Sequence, residues 1–306
     1  MMPIQFLSYA AILIAIAAMI AKALRYIKAP DHLRWELYPV PHEKGRSDYG
    51  GSYLEELDWW TKPRRTDFFN EIKEMAAEII LLKGVYHNNR RVWAFSFPFH
   101  FGLYLCIGWL FLLLAGAILN IAGISSNPPV ASITRLINYL TIAFGYSGLI
   151  LSGIGALGLL HWRLSVKEQR RFNSPAEYIN LALFVIVVTV TLISHFTLDP
   201  AFSNLRSYVH SLIVLSPAPI PGAVFTIEII LISLMIMYIP LTRMSHFVAK
   251  YFLYHSVRWN DKPNKRGSKL EKSLLSQLSK KVSWGAPHIK QGKSWIEVVK
   301  ETRDGQ

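Results

Sequence analysis

The chain has 306 residues, 52% of them hydrophobic, and a formal net charge of +13. Its single cysteine, Cys106, excludes an internal disulfide, a covalent CxxCH haem site and a cysteine-ligated iron–sulfur cluster within this chain. The positive charge is segregated, so topology is its first explanation, anionic lipid its second and nucleic acid a distant third.

Five apolar stretches, near 4–24, 99–123, 136–160, 177–197 and 221–242, each reach about 20 residues, the length that crosses a bilayer. The first has no charge before it and Lys22, Arg25 and Lys28 after it. A secretory signal has the opposite arrangement, so this stretch reads as an uncleaved anchor. Of the 33 lysines and arginines, all but Arg135 and Arg206 fall in 22–91, 163–171 and 243–303. The positive-inside rule then puts the N-terminus outside and the C-terminus in the cytoplasm.

Residues 26–65 are rich in Tyr, Trp, Pro, Gly and charge, which suits a loop packed on its own membrane domain or on a partner. Residues 67–83 place Phe68, Ile72, Met75, Ile79 and Leu82 on one helical face, an amphipathic helix for the membrane surface or a soluble partner. In the third span Gly145, Gly148, Gly153, Gly155 and Gly158 allow close approach of another helix or of a flat macrocycle. Ser174-Pro175-Ala176-Glu177 is a capping box that marks the start of the fourth span. Pro240 predicts a kink near the end of the fifth. The basic tail is expected to lie as an arm on a partner or in solvent.

Ten histidines are present. His32, His42, His87, His255 and His288 fall in cytoplasmic segments where surface roles dominate. His161 ends the third span, within reach of the interface. His100, in FPFHFGLYLCIGWL, and His246, in YIPLTRMSHFVAKYF, lie at matched depth on different spans, both on the cytoplasmic side. Two imidazoles so placed are what a membrane b-type haem needs, one axial nitrogen for each face of the iron. Arg243 is one turn from His246, and Arg90 and Arg91 precede the second span, where positive side chains meet haem propionates.

Over roughly 95–255, HFG opening the second span, PLTRMSH closing the fifth, the N-out topology and the basic segment after the third span carry a resemblance. The chain resembles the five-span cytochrome b family of respiratory nitrate reductase gamma subunits. It is more similar still to the membrane subunits of sulfate-reducer redox complexes, the dissimilatory sulfite reductase-linked, Tmc and Hmc types. The resemblance implies at least one haem b near the cytoplasm, ligated by His100 and His246 with Arg243 and Arg91 beside it. It also implies quinone, menaquinone in particular, a cytoplasmic iron–sulfur partner subunit, and room for further membrane or periplasmic cytochrome subunits. The nitrate reductase type holds a second haem at positions occupied here by Leu110 and Glu228, neither an ordinary axial ligand, so a second haem stays open. His195 and His210 could form a replacement.

On the other side the acids are Asp199, just beyond the fourth span, and Glu228, within the fifth. His195 and Glu228 each lie about 27 Å from the cytoplasmic helix ends at 1.5 Å per residue. With Asp199 they form either a quinol and proton site or a structural cap.

The expectation is therefore an all-α integral membrane protein, a five-helix transmembrane bundle of the cytoplasmic (inner) membrane of a prokaryote. Its parts are a first transmembrane helix (1–25), a cytoplasmic loop with an amphipathic helix (26–95), a four-helix haem-binding core (96–255) and a basic cytoplasmic tail (256–306). The expected function is a b-type cytochrome subunit that passes electrons between the quinone pool and an iron–sulfur subunit. The alternative is a haem-free membrane anchor for a soluble enzyme. A small-solute transporter would want inverted repeats or broken helices, and the sequence has no such repeat.

Overall fold

The structure is a computed structural model that describes residues 3–29, 45, 56–62, 67–124, 132–217, 220–252, 265–287 and 289–304. In chain order α1 (Pro3–Ile27) is followed by a 3₁₀ turn at Trp59–Thr61, α2 (Phe68–Ile80), α3 (Lys83–Asn88), α4 (Arg90–Ile121) and α5 (Ser132–Ser165). Then come α6 (Lys167–Phe172), α7 (Pro175–Leu198), α8 (Ser203–Ile213), α9 (Ala223–Leu241) and a second 3₁₀ turn at Arg243–Ser245. The chain continues through α10 (His246–Ala249), α11 (Lys269–Leu278) and α12 (Trp295–Asp304). Among the described residues there is no strand. Five helices, α1, α4, α5, α7 and α9, are long and apolar enough to cross a membrane. The fold is all-α, that of a multi-pass membrane protein.

The chain divides into two compact units. The first holds Met1–Ile20 and Ala76–Ser245, the second Ala21–Met75 and His246–Gln306.

Within the first unit α4 and α5 make the closest seam. A Cβ on Gly102 would meet the backbone N of Ser152 and come within 2.8 Å of the Gly148 carbonyl oxygen. One on Gly155 would meet the backbone of Phe99, 2.5 Å from its Cα. One on Gly148 would lie 2.9 Å from Cys106 N and 3.0 Å from its Sγ. Small residues bring the two backbones together, the usual basis of helix association in lipid. Three of the glycines read from the sequence, Gly148, Gly155 and Gly158, thus serve helix packing, and Cys106 is a small side chain in the same seam. Phe99 of α4, Ala156 of α5 and Leu181 of α7 form one apolar cluster. Trp109 and Leu113 of α4, Phe202, Leu205 and Tyr208, and Phe225 and Ile229 of α9 form another.

Polar contacts fix α1. Gln5 Nε2 donates to Ser211 Oγ at 3.0 Å and to the Ser216 carbonyl at 2.8 Å. Ser8 Oγ bonds the Tyr208 hydroxyl at 2.9 Å and Ser233 Oγ at 3.0 Å. The Ser8–Ser233 bond joins two membrane helices, where such a bond contributes about 0.6 kcal/mol.

Helix ends follow local chemistry. Asn89 Oδ1 accepts from Val92 N at 3.1 Å, so α4 begins well before the apolar stretch that follows. Glu177 accepts from Ser174 N at 2.9 Å with Pro175 at the first position, as the capping box predicts. At Pro240, where a kink near the end of the fifth span is expected, the helix ends rather than bends. The helix stops one residue later at Leu241, Thr242 is extended, and the 3₁₀ turn follows. The predicted amphipathic segment forms α2, and Leu82 then turns the chain in the left-handed region (φ 53°).

In the second unit the tail folds. Val282, Ile289 and Val298 are buried together, with Ala286 against them. Antiparallel bridges pair Lys281 with Ser294 and Ala286 with Ile289 between α11 and α12. The sequence shows no periodicity here because the three apolar residues meet only through the turn. Ser294 and Glu297 cap α12. Glu297 accepts from Ser294 N and Oγ, both at 2.7 Å. The Ser294 hydroxyl and backbone N–H hold the Glu297 carboxyl below its usual value of 4.5. A depressed carboxyl adds stability above its unfolded value, and that stability is lost as pH falls through the folded one. The start of α12 is therefore expected to loosen as pH falls below the usual glutamate value. Hydrogen exchange at Val298 checks this, and Ser294→Ala should exchange fast at neutral pH too.

Candidate functional site

His195 stands in the last turn of α7, where a period of 3.6 residues turns it inward toward α9. Both His195 and Glu228 are 0% exposed. His195 Nε2 lies 2.8 Å from Glu228 Oε1. On the other side of the ring, Nδ1 lies 3.1 Å from the Asp199 backbone carbonyl. A carbonyl only accepts, so Nδ1 carries a hydrogen. The Nε2–Oε1 contact then needs one more proton, shared between an imidazolium facing a carboxylate and an imidazole facing a carboxylic acid. Without it two acceptors would face each other in a dry interior, which is costly. The geometry makes His195 and Glu228 a holder of one exchangeable proton.

Asp199 is brought to the same place for a different task. Its Oδ1 accepts from Ser203 N at 2.7 Å, and Oδ2 from Asn204 N and Leu205 N at 2.9 and 3.1 Å. These are the unpaired donors of the first turn of α8, whose partial positive charge suits a carboxylate. Oδ2 is 3.6 Å from His195 Nδ1. Asp199 thus positions α8 and holds the imidazole by its backbone oxygen.

Aromatic rings surround the pair. Phe202 is fully buried, 4.2 Å from the His195 ring and 5.0 Å from Trp109 between centroids. Its backbone is left-handed (φ 57°), a strained state for a bulky side chain that surrounding contacts must hold. Gly145 makes room: a Cβ there would be 2.7 Å from the Phe202 ring and 2.9 Å from Trp109 Nε1. Among the described residues Trp109 Nε1, Ser194 Oγ and Glu228 Oε2 are buried polar atoms without a hydrogen-bond partner. Equal depth already placed His195 near Glu228. Trp109 and Phe202 carried no sequence signal, and Gly145 only that of one glycine among five in its span.

The remaining predicted residues lie on several elements of the two units. His100 is half-buried on α4, and its Nδ1 lies 2.8 Å from the Ser96 carbonyl. That acceptor puts the hydrogen on Nδ1 and the lone pair on Nε2, the form in which a histidine ligates a metal. The donor chemistry of His100 therefore fits an axial haem ligand. Arg91 lies in the first turn of α4 and Arg243 opens the 3₁₀ turn, both in the first unit. His246 opens α10 in the second unit. His161 is exposed at the end of α5, with Ser165 Oγ 3.3 Å away. His210 lies in the last turn of α8, while both ring nitrogens of His195 are engaged by Asp199 and Glu228. His87 stacks edge-on against Tyr86 in α3. His32, His42, His255 and His288 lie outside the described residues.

Compared with known proteins, the chain matches no family model, no curated protein and no solved structure.

Proposed function

We propose that this chain is the b-type cytochrome subunit of a prokaryotic inner-membrane oxidoreductase, with its N-terminus outside and its C-terminus in the cytoplasm. It passes electrons between the quinone pool, menaquinone in particular, and a cytoplasmic iron–sulfur subunit. The observation that carries this reading is His100, a histidine inside an apolar helix whose Nδ1–H is committed to the Ser96 carbonyl. A polar imidazole inside a membrane helix is by default a functional-site residue, and with Nδ1–H engaged, Nε2 is the atom that would ligate a metal. His100 and His246 would hold the haem, with Arg243 and Arg91 toward its propionates. When bound, the haem supplies one-electron transfer.

The chain's own contribution on the opposite side is the single-proton pair. Once the shared proton has left outward, the pair would take its replacement from a quinol hydroxyl, with Glu228 and His195 holding that one proton between them. Asp199 keeps the ring in register through its backbone oxygen and anchors α8. The loop and tail, which carry most of the chain's lysines and arginines, would dock the iron–sulfur subunit.

A reduced-minus-oxidised spectrum of the purified protein tests the reading. Low-spin b-haem bands are expected, and His100→Ala or His246→Ala should abolish them. A wild-type protein without visible absorbance would establish the alternative, a haem-free anchor for a soluble enzyme.

A further inference from the structure

Arg206 is one of two cations outside the three basic stretches of the chain, and the two are placed differently. Arg135 is exposed in the first turn of α5. Arg206, on α8, is only 8% exposed. Its Nε and Nη2 have no hydrogen-bond partner among the described residues. Both atoms are closed to solvent, so water does not stand in for one. A buried guanidinium keeps its charge, and leaving that charge uncompensated is costly.

The nearest acid does not close the account. Asp199 spends its carboxylate on the backbone N–H groups of Ser203, Asn204 and Leu205. It acts on Arg206 only at a distance. Burial pushes the guanidinium below its usual value, and the Asp199 charge draws it partly back.

The geometry of the open donors is informative. Nε–H and the neighbouring Nη2–H project from one edge of the planar group as a parallel pair. That fork matches two oxygens of one oxyanion. The fork lies over Gly116 of α4, where a Cβ would come within 2.7 Å of Nε and 2.9 Å of Cδ. Any other residue there would push the guanidinium away. Gly116 is five residues from the end of α4 at Ile121, about 7.5 Å at 1.5 Å per residue. The guanidinium, seated beside Gly116, therefore lies within about two turns of the end of a membrane helix, near the headgroup level.

We propose that Arg206 is a receptor for a phosphate group, held through its Nε–H and Nη2–H edge. At this depth of a membrane protein the phosphate is that of a phospholipid headgroup or a free phosphate entering from the adjoining solvent. The guanidinium ends a flexible side chain, so its edge turns to the ligand without moving α8. This site stands apart from the haem and quinone reading.

The test uses the full chain, delipidated in a neutral, phosphate-free detergent. Its thermal unfolding is followed with added phosphatidylglycerol in one arm and with sodium phosphate in the other, the latter against sodium chloride at equal ionic strength. The wild type should rise by roughly 5 °C with the phosphate-bearing ligand. Arg206→Met should lose that rise and, without phosphate, match or exceed the wild type, because an uncompensated charge has gone. A rise with phosphatidylglycerol alone assigns the site to lipid. A rise with sodium phosphate as well upholds the receptor and makes free phosphate its ligand. Equal rises in wild type and Arg206→Met in both arms would overturn the proposal and leave Arg206 balanced by Asp199 alone. Should Arg206→Met fail to fold, Arg206→Lys keeps the charge but loses the fork. It should cut the rise by at least half, and an unreduced rise would equally overturn the proposal.

Discussion

Replacing His195 by Leu should lower the stability of the first unit by roughly 3–5 kcal/mol. Among the described residues Glu228 would keep its buried place with neither oxygen bonded, since Oε2 lacks a partner there and Oε1 has His195 alone. The Asp199 carbonyl would lose its imidazole donor as well. The double variant His195→Leu with Glu228→Leu removes both polar groups and should recover most of the loss, because a buried pair replaced by apolar residues is often neutral. Glu228→Gln is the informative third variant. Its carboxamide donates an N–H to Nε2 of a neutral imidazole, so the bond and the stability persist while the exchangeable proton is gone. Under the proposed function this variant should slow haem reduction by a quinol analogue without altering the haem spectrum. Unfolding measurements on the three variants check the structural part. Normal reduction in Glu228→Gln would leave the pair as a helix clamp and move the quinone site elsewhere.

The second large effect is expected at the α4–α5 seam. Gly102→Val and Gly155→Val each place a branched side chain against backbone, of Ser152 and Phe99 respectively. Backbone of a packed helix cannot turn aside as a side chain does, so each variant should cost at least the roughly 3 kcal/mol at the upper end of overpacking. The helices would separate or fail to assemble. Gly153→Ala is the control: its Cβ meets only Val188 Cγ1, at 3.1 Å, the end of a side chain that can rotate. Thermal unfolding in detergent should rank the control near the wild type and the two valine variants far below it. Wild-type stability in Gly155→Val would show that the two backbones are not in close contact.

Features set by short-range rules were legible in the sequence. The five long helices follow from uninterrupted apolar runs, because a backbone in lipid must bond within its own helix. The start of α7 follows from Ser174-Pro175-Ala176-Glu177, whose partners are at most three residues apart. The meeting of His195 with Glu228 was approachable because a membrane gives helices a common depth scale, and residues at equal depth on neighbouring helices have few places to go.

What depth and period do not encode was settled by tertiary contact. Nothing in the spacing told that Asp199 would turn its carboxylate to the first turn of α8 rather than to His195. That choice depends on Phe202 taking a left-handed backbone, which the rings of Trp109 and His195 and the gap at Gly145 hold in place. The glycines of α5 could have faced a macrocycle or a helix, and only the rotation of α4 against α5 assigned Gly148 and Gly155 to the seam. The tail core of Val282, Ile289 and Val298 was invisible for the same reason: its members share no helical or strand period and meet through a turn. A sequence determines which residues can be buried and where a helix begins. Which buried groups share a space is decided by the rotation and close approach of whole helices, a sum of contacts too distant along the chain for any local pattern to carry.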